Sequence, residues 1–190
     1  MGVNALHTAL GRHTKNSIGI ISAAMPAVEF PYPLPYQATT PSMPITLSAV
    51  TRDNFDDIID LQLLDHQKDY LASNSYSIAQ ASFYPNYHTR AIYLGEEAIG
   101  FLMYVSLAEE GQPGDYAIYR FMIDSRHQGK GHGRHALQRA LDEIRSQPGV
   151  QRILISYVPA NPVAKDFYGS FGFVEIGIDE EEEMVAEIRL

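Results

Sequence analysis

The stretch 119–134, "YRFMIDSRHQGKGHGR", decides how this chain is read. Its first six residues form an apolar, strand-like run, and a helical pattern begins near His135. Between them, "QGKGHGR" at 128–134 places three glycines and two cations where a strand passes into a helix. Exposed backbone N–H groups and the positive end of a helix both attract anions, so the loop reads as a phosphate cradle. Gly129, Gly131 and Gly133 permit close approach and unusual dihedrals, while Lys130 and Arg134 add full charges. Two other phosphate-binding patterns do not fit. A Walker loop needs Gly-Lys followed by Ser or Thr, whereas Lys130 precedes Gly131. A Rossmann fingerprint belongs to the first βα turn of a parallel sheet, and this loop lies mid-chain after a hairpin pattern.

Upstream, "TRAIYL", the turn "GEEA" and "IGFLMYVSL" predict that hairpin, and "DYAIYRFMID" supplies the next strand after the loop "AEEGQPG". The centre of the sheet is therefore antiparallel. "ITLSAV" from Ile45 predicts a first strand, after which Thr51 or Asp53 caps a helix carrying Phe55, Ile58, Ile59 and Leu63 at helical spacing. "SIAQASF" reads as a short helix ended by Pro85. Downstream, Ala136, Leu137, Ala140, Leu141 and Ile144 share one face of a helix from His135 to Arg145, and "QPG" stops it. "RILISYV" is a buried strand, and "NPVAKDFYGSF" a short helix with Asn161 as cap and Pro162 in its first turn. "GFVEIGI" and "MVAEIRL" close the chain as strands around "DEEEE". The class is α/β (α+β): a mixed, mostly antiparallel sheet of about six or seven strands flanked by helices.

The chain has 190 residues, a formal charge of −9 and no cysteine. The missing cysteine removes disulfides, thiolate nucleophiles and the usual zinc sites. His127, His132 and His135 match no helical i, i+4 ligand pair, and no carboxylate completes a set, so no metal is expected. The acidity argues against nucleic acid as a partner. No apolar run approaches the roughly 20 residues needed to span a bilayer, so no membrane partner is expected. Residues 1–42 differ from the rest: Arg12, Lys15 and Glu29 are their only charges, and "FPYPLPYQATTP" favours extended chain. They read as a disordered extension or the product of an upstream start codon, with "IGIISAAM" a weak signal-peptide candidate. Residues 43–190 read as the folded domain, and they hold 12 basic against 22 acidic residues.

Two motifs together give the chain a resemblance to the GNAT superfamily of N-acetyltransferases. Gln128, Gly131 and Gly133 fit its Q/R-x-x-G-x-G/A loop, and Asn161, Ala164, Tyr168, Gly172 and Phe173 fit its later "N…A…FY…GF" signature. The resemblance covers about 43 to 190. It implies the acyl-CoA N-acyltransferase fold, with a sheet splayed at its central strands, and acetyl-CoA as co-substrate without a metal. By that resemblance, 128–134 (Gln128, Gly129, Lys130, Gly131, His132, Gly133, Arg134) receive the pyrophosphate, and Asn161 and Lys165 contact the coenzyme. His132 departs from the family's usual aliphatic residue and reads either as a packing residue or as a phosphate contact. Asn161 reads equally as an N-cap. Backbone groups of Met122 and Ile123 bond the pantetheine arm and polarise the thioester carbonyl, so that an amine attacks directly, without a covalent enzyme step. Tyr168 matches the phenol that protonates the leaving thiolate. Several relatives carry a carboxylate base where this chain has Tyr119, which can order a water chain but does not readily ionise at neutral pH.

Glu109, Glu110 and Asp115 are substitute acids for that base, and the base stays unassigned. The run "VTRDNFDDIIDLQLLDHQKDYLASN" and the "YRFMID…QGKGHG" core look like the bacterial spermine and spermidine acetyltransferases. A polyamine is a flexible polycation, which an acidic domain steers and neutralises. Asp65, Asp69, Glu109, Glu110 and Asp115 are sources of that field, and "DEEEE" is either a solvated hairpin tip or an acceptor clamp. Tyr70, Tyr76, Phe83, Tyr84 and Tyr87 wall the acceptor cleft or pack beneath it. An aminoglycoside satisfies the same charge argument, a protein amine needs an open groove, and an acetyl-CoA sensor without turnover is the non-enzymatic alternative. The resemblance also implies a cytoplasmic location, where acetyl-CoA is made, and pairing as a homodimer.

Overall fold

The computed structural model describes residues 43–190. The extension at 1–42, with its signal-peptide candidate, lies outside the described residues. The elements run β1 (Ile45–Ala49), α1 (Phe55–Ile59), a 3-10 turn (Asp65–Tyr70), α2 (Asn74–Ala81), β2 (Tyr87–Leu94), β3 (Glu97–Ser106), β4 (Asp115–Ile123), a second 3-10 turn (Ser125–His127), α3 (His132–Arg145), β5 (Arg152–Tyr157), α4 (Ala164–Gly169), β6 (Val174–Ile178) and β7 (Met184–Arg189). Seven strands form one sheet in the order β1-β2-β3-β4-β5-β7-β6. All contacts are antiparallel except β4 with β5.

Both faces of the sheet are covered, which is why β3 and β4 are apolar almost without alternation. On one face, Ala136, Leu137, Ala140, Leu141 and Ile144 of α3 and Tyr168 of α4 pack on Leu102, Ile118, Phe121 and Ile155. On the other, Ile58, Leu61 and Leu71 from the α1–α2 region pack on Phe101, Met103, Tyr119, Met122 and Leu154. α3 is further tied to the sheet by Glu143, which accepts from Arg90 Nε at 2.7 Å and from the Tyr104 hydroxyl at 2.6 Å.

The parallel contact makes the feature on which the site depends. β4 and β5 pair from Asp115↔Arg152 to Ile118↔Ile155 and no further. Beyond that point β4 stays with β3 as far as Gly100↔Ile123, whereas β5 stays with β7 as far as Tyr157↔Met184. The strands fork. A bulge sits at the fork, because Met103 faces Arg120 while Tyr104 faces Ile118, leaving Tyr119 as the extra residue of β4. Such a residue bends its strand and redirects side chains. Here it turns both Tyr119 and Arg120 toward the α1/α2 face, where Tyr119 meets Tyr87 and Arg120 meets Ser77. Gly100 permits the close packing beside the diverging strand, since a Cβ there would lie 2.5 Å from the Met122 carbonyl oxygen.

Several boundaries differ from the sequence reading. α3 starts at His132 rather than near His135, because a glycine is tolerated in a first turn whose N–H groups have no intrahelical partner. α4 starts at Ala164, and Asn161 closes a turn ahead of it by accepting from Val163 N at 3.4 Å. α1 ends at Ile59, so Leu63 lies outside it, and Asn54, not Thr51 or Asp53, is the residue at its start. The Asn54 side chain folds back to accept from Thr51 N at 2.7 Å. Among the described residues, no helix is long and apolar enough to cross a membrane.

Candidate active site

The glycine loop closes the end of β4. Gly129 and Gly131 are left-handed, at φ 74° and 82°, a conformation in which any Cβ would be strained. Gly133 is helical and needs no such freedom. Among the described residues, the amides of 129–133 donate no backbone hydrogen bond, so consecutive N–H groups at the start of a 14-residue helix stand ready for an anion. Gln128 opens the loop with its side chain committed to protein partners. It donates to the Ile123 carbonyl at 2.9 Å and exchanges a reciprocal pair of amide bonds, 2.8 and 2.9 Å, with the fully buried Gln67. That pair fastens the 3-10 turn at 65–70 to the end of β4.

The loop's cations diverge. Lys130 donates to the Arg126 carbonyl at 2.7 Å and lines a groove of about 570 Å³ between α3 and the β1 edge. Arg134 lies over the Phe171 ring at 4.8 Å and donates to Ser170 Oγ at 2.8 Å, which joins the loop to α4. His132 lines the same groove as Lys130, and burial together with neighbouring His127, Lys130 and His135 holds its pKa below the ordinary value. These neighbours disfavour a charged imidazole beside the loop. Lys165 is exposed and paired with Glu175 at 2.7 Å.

Met122 and Ile123 lie beyond the last β4–β5 pair, so their β5-facing backbone edge has no strand beside it. The Met122 side chain floors a cleft of about 270 Å³ between Leu61, Leu63, Lys68, Leu71 and Asn74 on the α1/α2 face. On the opposite face Tyr168 is fully buried, stacked on Tyr157 at 5.5 Å and edge-on to Phe173. Its hydroxyl has no hydrogen-bond partner among the described residues. Burial raises that phenol well above its ordinary pKa, so it stays protonated across the neutral range. A phenol buried in this way is a weaker acid than an exposed one.

Sequence reasoning missed most of what surrounds Tyr119. Ile118 and Ile155 form the last pair and both point into the α3/α4 core. The next residues, Tyr119 and Ser156, therefore both face the α1/α2 side at the mouth of the fork. Both are buried, and both hydroxyls lack a hydrogen-bond partner among the described residues. Beside them Arg120 is completely buried, donating to Ser77 Oγ at 3.2 Å and to the Tyr119 carbonyl at 2.8 Å, and it feels the charge of buried Glu183. "DEEEE" thus divides. Asp179 caps the hairpin by accepting from the amides of Glu181 and Glu183, 180–182 are exposed, and Glu183 turns inward. A cation inside the apolar run "YRFMI" and a serine inside "RILIS" were the available signals.

The predicted acceptor residues separate as well. Tyr84 stacks on Tyr87 at 4.9 Å, and Tyr87 meets Tyr119 edge-on at 5.5 Å. Burial pushes the Tyr87 phenol up to about 12, with smaller contributions from Tyr84 and the charge of Glu110, and burial raises Tyr119 further. Glu110 is half-buried on the turn after β3, beside the start of β2, whereas Glu109 is exposed. Asp115 sits where β4–β5 pairing begins, away from the fork, and is ion-paired with Arg152. Asp65 is exposed and bonded to Lys68. Tyr76, Phe83 and Tyr84 are exposed aromatics.

Comparison with known proteins agrees with this geometry. Residues 55–173 match the Acetyltransferase (GNAT) family. The chain is 31% identical over 152 residues to the spermine/spermidine N(1)-acetyltransferase of Bacillus subtilis, covering 77% of this chain and all of that one. A spermidine N-acetyltransferase SpeG chimera from Vibrio cholerae and hSSAT superposes with a TM-score of 0.62 at 22% identity, over 76% of this chain and 95% of that one. The aminoglycoside acetyltransferase AAC(6')-Ib in complex with coenzyme A superposes with a TM-score of 0.64 at 16% identity, over 76% and 94%. The family match over residues 55–173 and the 31% identity across the whole of the Bacillus enzyme show that the chain belongs to the GNAT family of acetyltransferases.

Proposed function

We propose that the protein transfers the acetyl group of acetyl-CoA to a primary amine of a polyamine such as spermidine or spermine. The observation that carries this reading is the fork, where β4 and β5 part beyond Ile118↔Ile155. The amides of 129–133 and the Tyr168 hydroxyl, unpartnered among the described residues, lie toward one side, and a cleft lined by Leu61, Leu63, Lys68, Leu71, Asn74 and Met122 lies on the other. The coenzyme fits the first side: loop amides for its pyrophosphate, the β5-facing edge of Met122 and Ile123, where Gln128 already holds the Ile123 carbonyl, for its pantetheine arm, and Tyr168 for its sulfur. Acetyl-CoA supplies an activated acyl thioester. The chain's own part is to orient that group at the fork, to offer backbone N–H groups to the carbonyl, and to hold a protonated phenol where the sulfur leaves. Gln128 acts by fixing the loop's first residue and the Ile123 carbonyl, and Lys130 and Arg134 by the positive potential they give the loop.

The acceptor reading rests on the similarity to the Bacillus enzyme and on the charge of −9. A small cationic amine in the cytoplasm, where acetyl-CoA is available, satisfies both. Thiol release from acetyl-CoA by the full-length protein, measured with spermidine, spermine, an aminoglycoside and a lysine peptide, tests it. Spermidine and spermine are expected to give the highest kcat/KM. Turnover with the aminoglycoside or the peptide alone overturns the polyamine reading, and coenzyme binding with no thiol release from any amine overturns catalysis.

A further inference from the structure

An alkylammonium has a pKa near 10 and must lose a proton before it attacks, yet β4 offers a tyrosine where a carboxylate would serve. We propose that the ammonium proton leaves through a hydroxyl relay, from Tyr119 to Tyr87 to the Glu110 carboxylate, on the α1/α2 face of the fork. This rests on the acetyltransferase reading above and supplies the proton acceptor that reading lacks.

Three observations carry it. The bulge in β4 sets Tyr119 at the mouth of the fork with its hydroxyl buried and unpartnered among the described residues. Tyr87 lies against it, and Tyr84, half-exposed, covers Tyr87 from outside, so a file of phenols leads from the fork toward the surface. Glu110 lies on the turn that follows β3, which is tied to the start of β2 by Ser106 N donating to Asn86 O at 3.3 Å and Asn86 Nδ2 donating to Ser106 O at 3.0 Å. The turn after β3 folds it back, with Glu110 N donating to Leu107 O at 3.2 Å and Gln112 N to the same oxygen at 3.0 Å. Its Oε2 atom is buried without a hydrogen-bond partner among the described residues, and its charge acts on both Tyr87 and Tyr119.

The transfer balances. One N–H bond of the ammonium breaks as Tyr119 oxygen takes the proton, Tyr119 gives its own proton to Tyr87, and Tyr87 gives its own to Glu110. Each phenol ends with one proton, the amine keeps its lone pair, and Glu110 passes the proton to solvent. The raised phenol pKa values fit this role, since the tyrosines relay without ionising. Burial also moves Glu110 upward from the carboxylate range, closer to a useful base. The charged and titratable groups along the file are Glu109 on the same turn as Glu110, Tyr84 ahead of β2, Tyr87 at its start, and Tyr119 and Arg120 on β4.

The test is the pH profile of kcat/KM for spermidine in the wild type, Glu110→Gln, Tyr119→Phe and the double variant, with thermal unfolding and acetyl-CoA binding measured alongside. Each single variant is expected to lose about 10²-fold at pH 7. The loss should shrink below about threefold near pH 10, where about half of the amine is already free. The double variant should be no worse than the worse single one, because both remove the same path. A folded Glu110→Gln protein with wild-type rates at pH 7, a loss of equal size at both pH values, or additive losses overturns the relay. Should either variant fail to fold, Tyr87→Phe takes its place with the same expected profile. A wild type that acetylates no amine refutes the acetyltransferase reading itself, whereas an active wild type with indifferent variants refutes the relay alone.

Discussion

Tyr168 has a buried hydroxyl that pairs with no group among the described residues, and an unsatisfied buried hydroxyl costs about 1–3 kcal/mol. Keeping it makes physical sense if the hydroxyl finds its partner in the reaction. Tyr168→Phe should therefore raise Tm while lowering kcat by about 10²-fold, and leave acetyl-CoA affinity nearly unchanged. Scanning calorimetry beside steady-state kinetics checks both signs, and unchanged kcat would remove Tyr168 from the chemistry. The residue itself was legible, because "FYGSFGF" places it at a recognisable spacing. Its isolation was not, since a hydroxyl's partner is a matter of tertiary neighbours. The same holds for Gln67, which meets Gln128 across 61 positions, and for Arg120, which meets Ser77 across 43. Local pattern carries no trace of contacts at that separation.

Among the elements, strands were read best: "TRAIYL", "IGFLMYVSL" and "DYAIYRFMID" all fall within β2, β3 and β4 or one residue beyond. Apolar runs bounded by glycine turns leave little choice. The bulge escaped notice because both faces of β4 are buried, so no alternation existed for it to interrupt. Helix starts shifted because "GKGHG" has loop composition although its last residues already wind into α3. α3 also offers the clearest stability test, since Glu143 joins it to β2 and β3. Burial opposes the charge of Glu143, but Arg90 and the Tyr104 hydroxyl outweigh it and hold its pKa below the usual carboxylate value. A depressed folded-state pKa means that the stabilisation is present above the unfolded value, about 4.3, and is lost as pH falls through the folded one. Glu143→Gln should lower Tm by about 3 °C at pH 7, a magnitude kept small because the pair is partly solvated. The gap between variant and wild type should close below about pH 4 in thermal melts. A gap independent of pH would assign the effect to packing instead.

For the whole molecule, the governing quantity is charge. The described residues 43–190 hold 22 acids against 12 bases, and many acids are already spent in internal pairs: Asp115 and Glu187 with Arg152, Glu143 with Arg90, Glu175 with Lys165. The remaining surface, including the exposed 180–182 tip, still carries a net negative field that attracts polycations from solution. At physiological ionic strength that field is screened beyond about 8 Å, so its effect belongs to encounter and loose association more than to final contacts. The consequence can be separated from any specific pocket by varying the charge of the acceptor. Raising salt from about 20 to about 500 mM should raise apparent KM for spermine most, for spermidine less and for a simple monoamine least, with kcat little changed in each. Steady-state kinetics at fixed saturating acetyl-CoA reads this order directly. Equal salt dependence for all three amines would mean that the acidic surface serves solubility alone, and that polyamine preference, where found, is set entirely by the aromatic and hydroxyl groups at the fork.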